Sequence, residues 1–421
     1  MINRIASVFA SFGFAPIDTP ALEYAEILLG KGSEETDKQL YRFKDQGDRD
    51  VALRFDLTVP LARFAAMHIN ELGTPFRRFH IAPVWRAEKP QRGRYREFIQ
   101  CDFDIIGTTS VLADAEIVLL TSSIFKTLGV PALVRVNNRR VLNGFLESLN
   151  AREHSTSVLR AIDKLDKLGT DVVASELREF AKLNDAQIKS VFAFLELSSR
   201  APSNVELLSE LRSFLGKSEL GLDGVSQLES VNIVLSECGL DDNNFRVDLA
   251  IARGLDYYTG TVLETSLVEL PDIGSVCSGG RYDDLASLYT TKHLPGVGAS
   301  VGLDRLLAAF EELKRLPDKS STAEVLVTLL DAGTEGKCMS LASFLRAEGF
   351  AVEMYPELGR LGGQFKYADK KGIEFVIIAG APNLQEGRCE VKHLSSGEQS
   401  SPLPFADVAP FIQRIREQQR K

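Results

Sequence analysis

The sequence predicts an α+β fold in which a strand-rich core is interrupted by a helical insertion and followed by a smaller α/β domain. Three changes of residue pattern along the 421 residues support this prediction. Strand-like runs dominate residues 1–152, apolar residues three and four apart dominate residues 153–230, and strand character returns over residues 231–317. After a polar linker at 316–324, strands alternate with helices over residues 322–421.

The first region is predicted to contain one helix followed by several strands. The opening text "INRIASVFASFGF" is predicted to be the helix, whereas "DVALRFDLTV", "FRRFHIAPVWR" and "REFIQCDFDIIG" are typical of strands. In the last run, alternate residues suit a sheet with one face toward a core and the other toward a site. The last two runs predict an antiparallel hairpin whose loop is too long for a tight two-residue turn.

The middle region is predicted to be helical, and strands return after it. "TSVLRAIDKLDKLG", "DVVASELREFAKLN" and "AQIKSVFAFLEL" have the apolar spacing of helices. Strand character resumes in "FRVDLAIARGLDYYTGTVLETSL" and "GSVCSGGRYDDL", and in "LPGVGASVGLDRLLAAFEELKRL" a short strand precedes a helix. Arg305 lies in the first turn of that helix, where the macrodipole disfavours a cation. Either an anionic ligand lies nearby or Arg305 reaches away to solvent.

The last region is predicted to be a compact α/β domain. Its order is strand "EVLVTLL", helix "GKCMSLASFLRAEG", strand "FAVEMYP", helix "GQFKYADKKG", strand "IEFVIIAG", strand "CEVKHL" and helix "DVAPFIQRIREQQRK". This alternation predicts a mainly parallel sheet.

Composition excludes several classes of protein. The formal net charge of −9 argues against a chain that is basic throughout, but it is compatible with a local basic patch for a nucleotide or nucleic acid. The five cysteines form no C-x-x-C pair, which is typical of free thiols in a reducing cytosol. The histidines have no metal-ligand spacing, so no metal site is predicted. Without a secretory signal or an apolar run of about 18 residues, we expect a soluble cytoplasmic protein with no membrane contact.

The stretch "RAEKPQRGRYREF", residues 86–98, concentrates positive charge in this acidic chain. In an antiparallel hairpin Arg86 and Arg94 could project toward one volume, while Phe98 supplies a flat apolar face. Guanidinium groups bind phosphates in a fixed fork geometry, and an aromatic ring can stack on a base. The combination favours a nucleotide triphosphate site, and the alternative is a solvated hairpin. No P-loop and no strand-linked G-x-G-x-x-G motif is present, so such a site is of another kind.

A second candidate stretch is "ARGLDYYTGTVLE", residues 252–264. It places Arg253, Tyr257 and Tyr258 on a predicted strand, and buried polar groups need partners. These residues therefore indicate a polar cavity, although the tyrosines alone would more often be core or rim aromatics.

A third candidate is "LRFDLTVPLARF", residues 53–64, in which Asp56 and Thr58 lie two apart and share a face of a predicted strand. Together with Gln100 and Asp104 on the hairpin, they would supply acceptors for an amino group or a ring N–H. Taken singly, each of the four is also explained by a structural role.

These stretches resemble the class II aminoacyl-tRNA synthetases and, within that class, the histidyl-tRNA synthetase family. "FRRFHIAPVWRAEKPQRGRYREFIQCDFDIIG" resembles motif 2, "GASVGLDRLLAAF" resembles motif 3, and "FGFAPIDTPALE" resembles the end of motif 1. "RGLDYYTGTVLE" and "SGGRYDDL" are similar to the two signatures of the histidine enzymes. The resemblance covers nearly the whole chain. It implies a class II antiparallel sheet as catalytic core, a helical insertion and a C-terminal α/β anticodon-binding domain.

The resemblance also implies roles for individual residues. Those implied to bind ATP are Arg86, Glu88, Arg94, Phe98 and Arg305. Those implied to bind histidine are Asp56, Thr58, Arg86, Gln100, Asp104, Arg253, Tyr257 and Tyr258. Arg86 and Arg253 are the implied catalytic residues, and Arg253 would contact the reacting carboxylate and α-phosphate. Gln91 and Arg92 are implied to meet the acceptor end of tRNA.

The implied reaction is ATP-dependent ligation of L-histidine to its tRNA through a histidyl-adenylate, with Mg²⁺ accompanying ATP, in a homodimer. Asp56 and Asp104 are aspartates where many bacterial members have glutamate, which changes reach and not charge. The "RDFLP"-like text that usually precedes motif 1 in the family is absent from this sequence, and this departure from the family pattern concerns the dimer edge and full activity. The alternatives are a non-catalytic regulatory subunit of ATP phosphoribosyltransferase and a pseudo-synthetase module of a signalling protein.

Overall fold

An eight-stranded sheet organises the first of two units in the computed structural model, which describes residues 1–29, 39–251, 258–316 and 321–419. The units are Met1–Lys314 and Arg315–Lys421. The strands of the first unit are β1 (Ala15–Pro16), β2 (Leu22–Tyr24), β3 (Arg42–Lys44), β4 (Asp50–Leu53), β5 (Phe76–Trp85), β6 (Glu97–Ile106), β7 (Ala132–Asn138), β8 (Phe245–Val247), β9 (Thr261–Leu267), β10 (Cys277–Tyr282) and β11 (Gly296–Gly302).

The large sheet has the order β1-β5-β6-β11-β10-β9-β7-β8. The six strands from β5 to β7 pair antiparallel, and only the short outer strands β1 and β8 pair parallel to their neighbours. Strands β2, β4 and β3 form a separate small antiparallel sheet. This architecture confirms the predicted α+β fold class.

The α-helices of the first unit lie before, within and after the middle region of the sequence. They are α1 (Ile2–Ser11), α2 (Ala25–Leu28), α3 (Thr58–His68), α4 (Val111–Leu128), α5 (Arg139–Ser148), α6 (Ser155–Ile162), α7 (Leu165–Glu179), α8 (Asp185–Arg200), α9 (Asn204–Leu215), α10 (Glu219–Glu237) and α11 (Leu303–Glu312). Helix α4 begins where the Ser110 side chain accepts a hydrogen bond from the Leu112 N–H, and it ends at Gly129 in the left-handed conformation.

One face of the large sheet is apolar and packs against α1 and α4. The rings of Phe9 and Phe103 lie 5.1 Å apart between centroids and join a core that includes Phe125. The same hydrophobic core continues into the middle helices, where the Phe145 and Phe194 rings stack 4.3 Å apart. Because strand side chains alternate between faces, the residues of β5 and β6 that do not join this core point to the opposite face.

One predicted strand ends earlier than the sequence pattern indicated. The run "DVALRFDLTV" predicts a strand through Val59, but β4 ends at Leu53 and α3 begins at Thr58. Asp56 accepts a hydrogen bond from the Val59 N–H at 3.1 Å, and Pro60 is tolerated because it stands in the first helical turn. Asp56 and Thr58 therefore lie at a helix start and not on one strand face.

The second unit has a mixed five-stranded sheet. Its elements are β12 (Val325–Val327), α12 (Glu335–Ala347), β13 (Val352–Met354), α13 (Leu361–Lys371), β14 (Phe375–Ile378), α14 (Ala381–Gln385), β15 (Arg388–His393), β16 (Leu403–Pro404) and α15 (Phe405–Gln419). The order is β13-β12-β14-β15-β16, and only the first three strands are parallel. The sheet is thus less parallel than predicted, because β14 and β15 are joined through a short helix and pair antiparallel. Within the described residues, no helix has both the length and the apolar character of a membrane span.

Candidate functional site

The second face of the large sheet carries an unusual concentration of buried polar side chains. Arg78 and His80 on β5 face Gln100, Asp102 and Asp104 on β6, and each is at most 8% exposed. Burial and the neighbouring arginines lower the pKa of His80 to about 4, so its ring is neutral at physiological pH. Charged groups are rarely buried unless they are paired or serve a ligand. This face is therefore the candidate site.

Asp104 is held on both of its carboxylate oxygens. Arg78 Nη2 lies 2.7 Å from Asp104 Oδ2, and the Tyr282 hydroxyl donates to Asp104 Oδ1 at 2.6 Å. Burial raises the pKa of Asp104, and the Arg78 charge opposes that rise. Sequence reasoning assigned no role to Arg78 or Tyr282. Tyr282 lies within "SGGRYDDL". The sequence therefore contained a signal for this region, but that signal does not indicate that Tyr282 contacts Asp104.

Glycine on β11 makes room for this carboxylate. A Cβ atom added at Gly298 would lie 2.0 Å from Asp104 Oδ1 and 2.6 Å from the Phe103 carbonyl oxygen. Both distances are far below van der Waals contact, so any larger residue would displace Asp104 or separate the paired strands β6 and β11. Gly298, the second glycine of "PGVGAS", is thus required by the carboxylate that it faces.

We expect Gly298→Ala to lower the free energy of unfolding of the first unit by about 1–3 kcal/mol because of this overlap. The transition can be followed by urea titration with the fluorescence of Trp85, the only tryptophan, which lies at the end of β5. Gly73→Ala is the matched control, because a Cβ there meets no atom within 4 Å and its backbone is not left-handed. Equal stability of the two variants would contradict the steric argument.

Two acceptors of the predicted set lie in the same cluster. Asp56 is buried, its Oδ2 has no hydrogen-bond partner, and burial raises its pKa to about 6. The positive charges of Arg86 and Arg78 oppose that rise, which places Asp56 within electrostatic range of both guanidinium groups. Gln100 is also buried, and its Oε1 has no hydrogen-bond partner. Thr58 is half-buried at the start of α3, two residues after Asp56.

The basic hairpin brings together the side chains that were predicted to hold a triphosphate. Glu88 lies between two arginines, with Oε1 3.9 Å from Arg86 Nη1 and Oε2 3.8 Å from Arg94 Nη1. The Arg86 guanidinium carbon is 5.2 Å from the centre of the Phe98 ring, and Arg86 Nε donates to the Phe55 carbonyl at 3.0 Å. The Arg86 guanidinium is thus held at Nε by the Phe55 carbonyl, and its terminal nitrogen Nη1 is directed toward Glu88.

The loop of this hairpin is long, as predicted, because β5 ends at Trp85 and β6 begins at Glu97. Within the loop, Gln91 and Arg94 exchange two backbone hydrogen bonds of 3.0 and 2.8 Å, so Arg92 and Gly93 form a two-residue turn. Gly93 adopts a φ of 69° that closes this turn. Arg92 Nη1 lies 3.0 Å from Glu312 Oε2, so the tip contacts helix α11.

Helix α11 also supports the hairpin through its first turn. Asp304 accepts a hydrogen bond from the Ile99 N–H at 2.7 Å, next to the Phe98 ring. Arg305 donates to the Ser275 carbonyl. The alternative in which its side chain extends into solvent is therefore not the observed arrangement. A Cβ at Gly93 would lie 3.3 Å from the Arg305 Cα atom, which places Arg305 directly beside the hairpin tip.

One part of the predicted site falls outside the described residues. Arg253 and Tyr257 are among residues 252–257, about which the structure says nothing. Tyr258 is half-buried, and a Cβ at Gly280 would lie 3.0 Å from its ring. Tyr258 and Tyr282 are also within electrostatic range of one another, so Tyr258 belongs to the cluster around Asp104. Within the described ranges, no group of three His, Cys, Asp or Glu side chains could hold a metal ion.

Two family models match the chain. The model of histidyl-tRNA synthetase matches residues 1–306, and the model of the anticodon binding domain matches residues 324–415. Among curated relatives, the histidine–tRNA ligase of Rhodopirellula baltica is 53% identical over 411 residues, covering 97% of this chain and 92% of that protein. The histidine–tRNA ligase of Helicobacter hepaticus is 42% identical over 421 residues, with 98% and 94% coverage.

Solved structures show the same likeness. The crystal structure of histidyl-tRNA synthetase from Nostoc sp. superposes with a TM-score of 0.88 at 36% identity, covering 98% of this chain and 94% of that chain. A protein described as an ATP phosphoribosyltransferase regulatory subunit/histidyl-tRNA synthetase from Bacillus halodurans gives a TM-score of 0.72 at 22% identity, with 87% and 90% coverage. At that identity the second likeness concerns the fold alone.

Proposed function

Because the chain belongs to the histidyl-tRNA synthetase family, we propose that it ligates L-histidine to its tRNA at the expense of ATP. In the first step the histidine carboxylate attacks the α-phosphorus of ATP, forming histidyl-adenylate and releasing pyrophosphate. In the second step a ribose hydroxyl of the tRNA terminus attacks the adenylate carbonyl, forming histidyl-tRNA and releasing AMP. The C-terminal unit matches the anticodon binding domain and is assigned to the anticodon end of the tRNA.

The observation that carries this proposal is the position of Asp56 between two polar clusters. Its charge is coupled to Arg86 on the nucleotide side and to Arg78 and Asp104 on the amino-acid side. Asp56 Oδ2 and Gln100 Oε1 are buried acceptors that fit an α-ammonium group. A substrate bound there would direct its carboxylate toward Arg86, which is where the α-phosphate must lie.

We assign the imidazole ring to the cluster around Asp104. Arg78 and Tyr282 fix the Asp104 carboxylate, and Tyr258 lies beside it. A ligand without a ring N–H would leave this buried carboxylate incompletely hydrogen-bonded, and such losses discriminate strongly against analogues. Tyr257 is proposed to line the same pocket by family resemblance.

We assign ATP to the basic hairpin. Arg86 and Arg94 supply guanidinium groups for its phosphates, Glu88 lies between them, and Phe98 offers a ring on which adenine can stack. Preorganised cations stabilise the charge that develops on the α-phosphate, so no protein nucleophile is needed. Arg305 is proposed to bind the other side of ATP, and Arg253 to contact the reacting carboxylate and α-phosphate. Mg²⁺ is proposed to accompany ATP.

Further proposals follow from the family and not from contacts in the structure. Gln91 and Arg92 at the exposed hairpin tip are proposed to meet the tRNA acceptor end. We also propose a homodimer, a cytoplasmic location, and the division into a core at 1–152 and 231–317, an insertion at 153–230 and an anticodon-binding domain at 322–421. The non-catalytic regulatory alternative is less supported, because its named relative is only 22% identical, whereas ligases reach 53%.

The proposed function is tested by histidine-dependent ATP–pyrophosphate exchange with the purified chain, followed by charging of histidine tRNA. We expect exchange in the parent chain and a loss of about 10²-fold or more in Arg253→Ala, because a cation at the reacting phosphate stabilises the transition state. Leucine in place of histidine is the substrate control. Histidine binding without any exchange in the parent chain would instead favour the regulatory alternative.

A further inference from the structure

Gln100, Ser300 and Asp102 form a row of neighbouring polar side chains across β6 and β11. Gln100 Nε2 donates to Ser300 Oγ at 2.7 Å, and the Ser300 side chain is close enough to the Asp102 carboxylate to oppose the rise of its pKa. The strand register accounts for this row, because Ser300 is directly opposite Asp102 and Gly302 is opposite Gln100. Ser300 therefore connects two buried side chains on the neighbouring strand.

The row has a defined hydrogen-bond polarity. An ionised carboxylate can only accept, so the single hydroxyl proton of Ser300 is available to the neighbouring Asp102. The Ser300 oxygen then accepts from the Gln100 amide nitrogen, which is the arrangement observed. Consequently Gln100 directs its Oε1 away from Ser300, and that oxygen is buried without a hydrogen-bond partner. An amide can be oriented either way by its surroundings, and here the neighbouring hydroxyl selects one orientation.

The charge state of Asp102 supports this polarity. Burial raises the pKa of Asp102 to about 7, whereas the Arg78 charge and the Ser300 hydrogen bond oppose the rise. A pH above that value favours the carboxylate form, which can only accept a hydrogen bond. Asp102 and His80 lie opposite each other on β6 and β5, and Asp102 also lies within electrostatic range of Arg54, which adds a second buried cation.

We propose that Ser300, oriented by Asp102, is a positioning residue that presents Gln100 as a hydrogen-bond acceptor to the α-ammonium group of the amino-acid substrate. This inference rests on the proposed function, because it assigns the Gln100 oxygen to the α-amino end of histidine. It makes the Ser300–Asp102 pair a determinant of specificity at the α-substituent. An ammonium group forms a charge-assisted hydrogen bond with the Gln100 oxygen. A neutral hydroxyl forms only a weaker, neutral hydrogen bond with the same oxygen.

The test compares two ligands that differ at the α-substituent. L-Histidinol keeps the α-ammonium group, and the matching diol has a hydroxyl in its place, with the imidazole ring and the terminal alcohol unchanged. Their dissociation constants are measured by titration calorimetry at pH 8 with the full chain, which needs no catalytic turnover. We expect Ser300→Ala to weaken binding of histidinol by about tenfold, the value of one charge-assisted hydrogen bond, and to change binding of the diol by less than about twofold. Loss of the orienting hydroxyl frees the Gln100 amide to turn, so the preference for the ammonium group shrinks.

Two further variants separate positioning from a general structural effect. Ser300→Thr keeps the hydroxyl at a half-buried position and is expected to restore both affinities to within about twofold of the parent. Asp102→Asn can donate to Ser300 and thereby reverse the row, so it should lower the histidinol preference as Ser300→Ala does. Ser278→Ala is the matched control, because Ser278 stands opposite Ser300 on β10 and is exposed.

The outcomes distinguish this inference from the proposed function. Parallel weakening of both ligands in Ser300→Ala, or unchanged affinities, would overturn the positioning role. A lack of rescue by Ser300→Thr together with a lowered melting temperature would assign Ser300 a purely structural role and also overturn it. If the parent chain bound histidinol and showed no ATP–pyrophosphate exchange, the proposed function would fail, while the calorimetric comparison would still decide the role of Ser300.

Discussion

Replacing Arg86 by alanine is expected to lower kcat/KM for histidine-dependent ATP–pyrophosphate exchange by about 10²–10³-fold, as removal of one preorganised transition-state donor does. Arg86 Nε is already held by the Phe55 carbonyl at 3.0 Å, so the guanidinium is fixed before substrate binds. Its charge also reaches Asp56, the group assigned to the α-ammonium end of histidine. Loss of Arg86 therefore removes phosphate stabilisation and disturbs alignment of the two substrates.

Arg96→Ala is the matched control for this prediction. The Arg86 N–H donates to the Arg96 carbonyl, so both arginines occupy the same level of the hairpin. Arg96 is exposed, however, and we expect its replacement to change kcat/KM by no more than about threefold. Arg86→Lys should lie between the two, because it keeps the charge and loses the planar fork. Equal losses in Arg86→Ala and Arg96→Ala would show that general positive charge, and not the fixed guanidinium, is what matters.

Replacing Arg78 by methionine is expected to lower the free energy of unfolding of the first unit by about 3–5 kcal/mol, because it leaves a buried carboxylate without its counter-charge. Arg78 is fully buried and its Nη2 is 2.7 Å from Asp104 Oδ2. It also donates to the Leu57 carbonyl at 3.3 Å, which connects the pair to the segment before α3. Urea unfolding followed by Trp85 fluorescence measures the loss.

The double variant Arg78→Met/Asp104→Asn separates charge imbalance from lost packing. With no buried charge left at this pair, we expect it to recover most of the lost stability, giving a coupling energy of at least about 1 kcal/mol in the double-mutant cycle. Histidine-dependent exchange should stay impaired in both variants, since Asp104 is assigned to the ring. A double variant no more stable than Arg78→Met would contradict an energetic coupling between the two residues.

The stability deficit of Arg78→Met is also expected to depend on pH. Burial already raises the pKa of Asp104 above its ordinary value, and removing Arg78 removes the charge that opposes this rise. The folded variant then binds a proton that the unfolded chain does not, in the interval between the two pKa values. Its stability relative to the parent should therefore improve as the pH falls from 8 to 5. A deficit that grows toward acid would contradict this assignment.

The sequence was sufficient for local structure and for the kinds of side chain in the site. Alternation along "REFIQCDFDIIG" correctly placed Gln100 and Asp104 on one face of a strand, and the basic hairpin correctly brought Arg86 near Arg94 through Glu88. These features depend on neighbours in the chain, whose geometry follows from a two-residue strand repeat. Where local signals competed, prediction failed: Pro60 and the hydrogen bond from the Val59 N–H to Asp56 favoured a helix where a strand was expected.

The partners of these side chains were decided by the tertiary structure alone. Tyr282 reaches Asp104 across 178 residues of sequence, and Ser300 reaches Gln100 across 200. Arg281, the neighbour of Tyr282 in the same signature, instead forms a buried ion pair with Asp114 at the start of α4. Strand periodicity specifies which face a residue occupies, but the order β6-β11-β10 and its register decide which residues meet. Hence the sequence predicted the acceptors of the proposed site, and only long-range strand pairing determined which groups contact them.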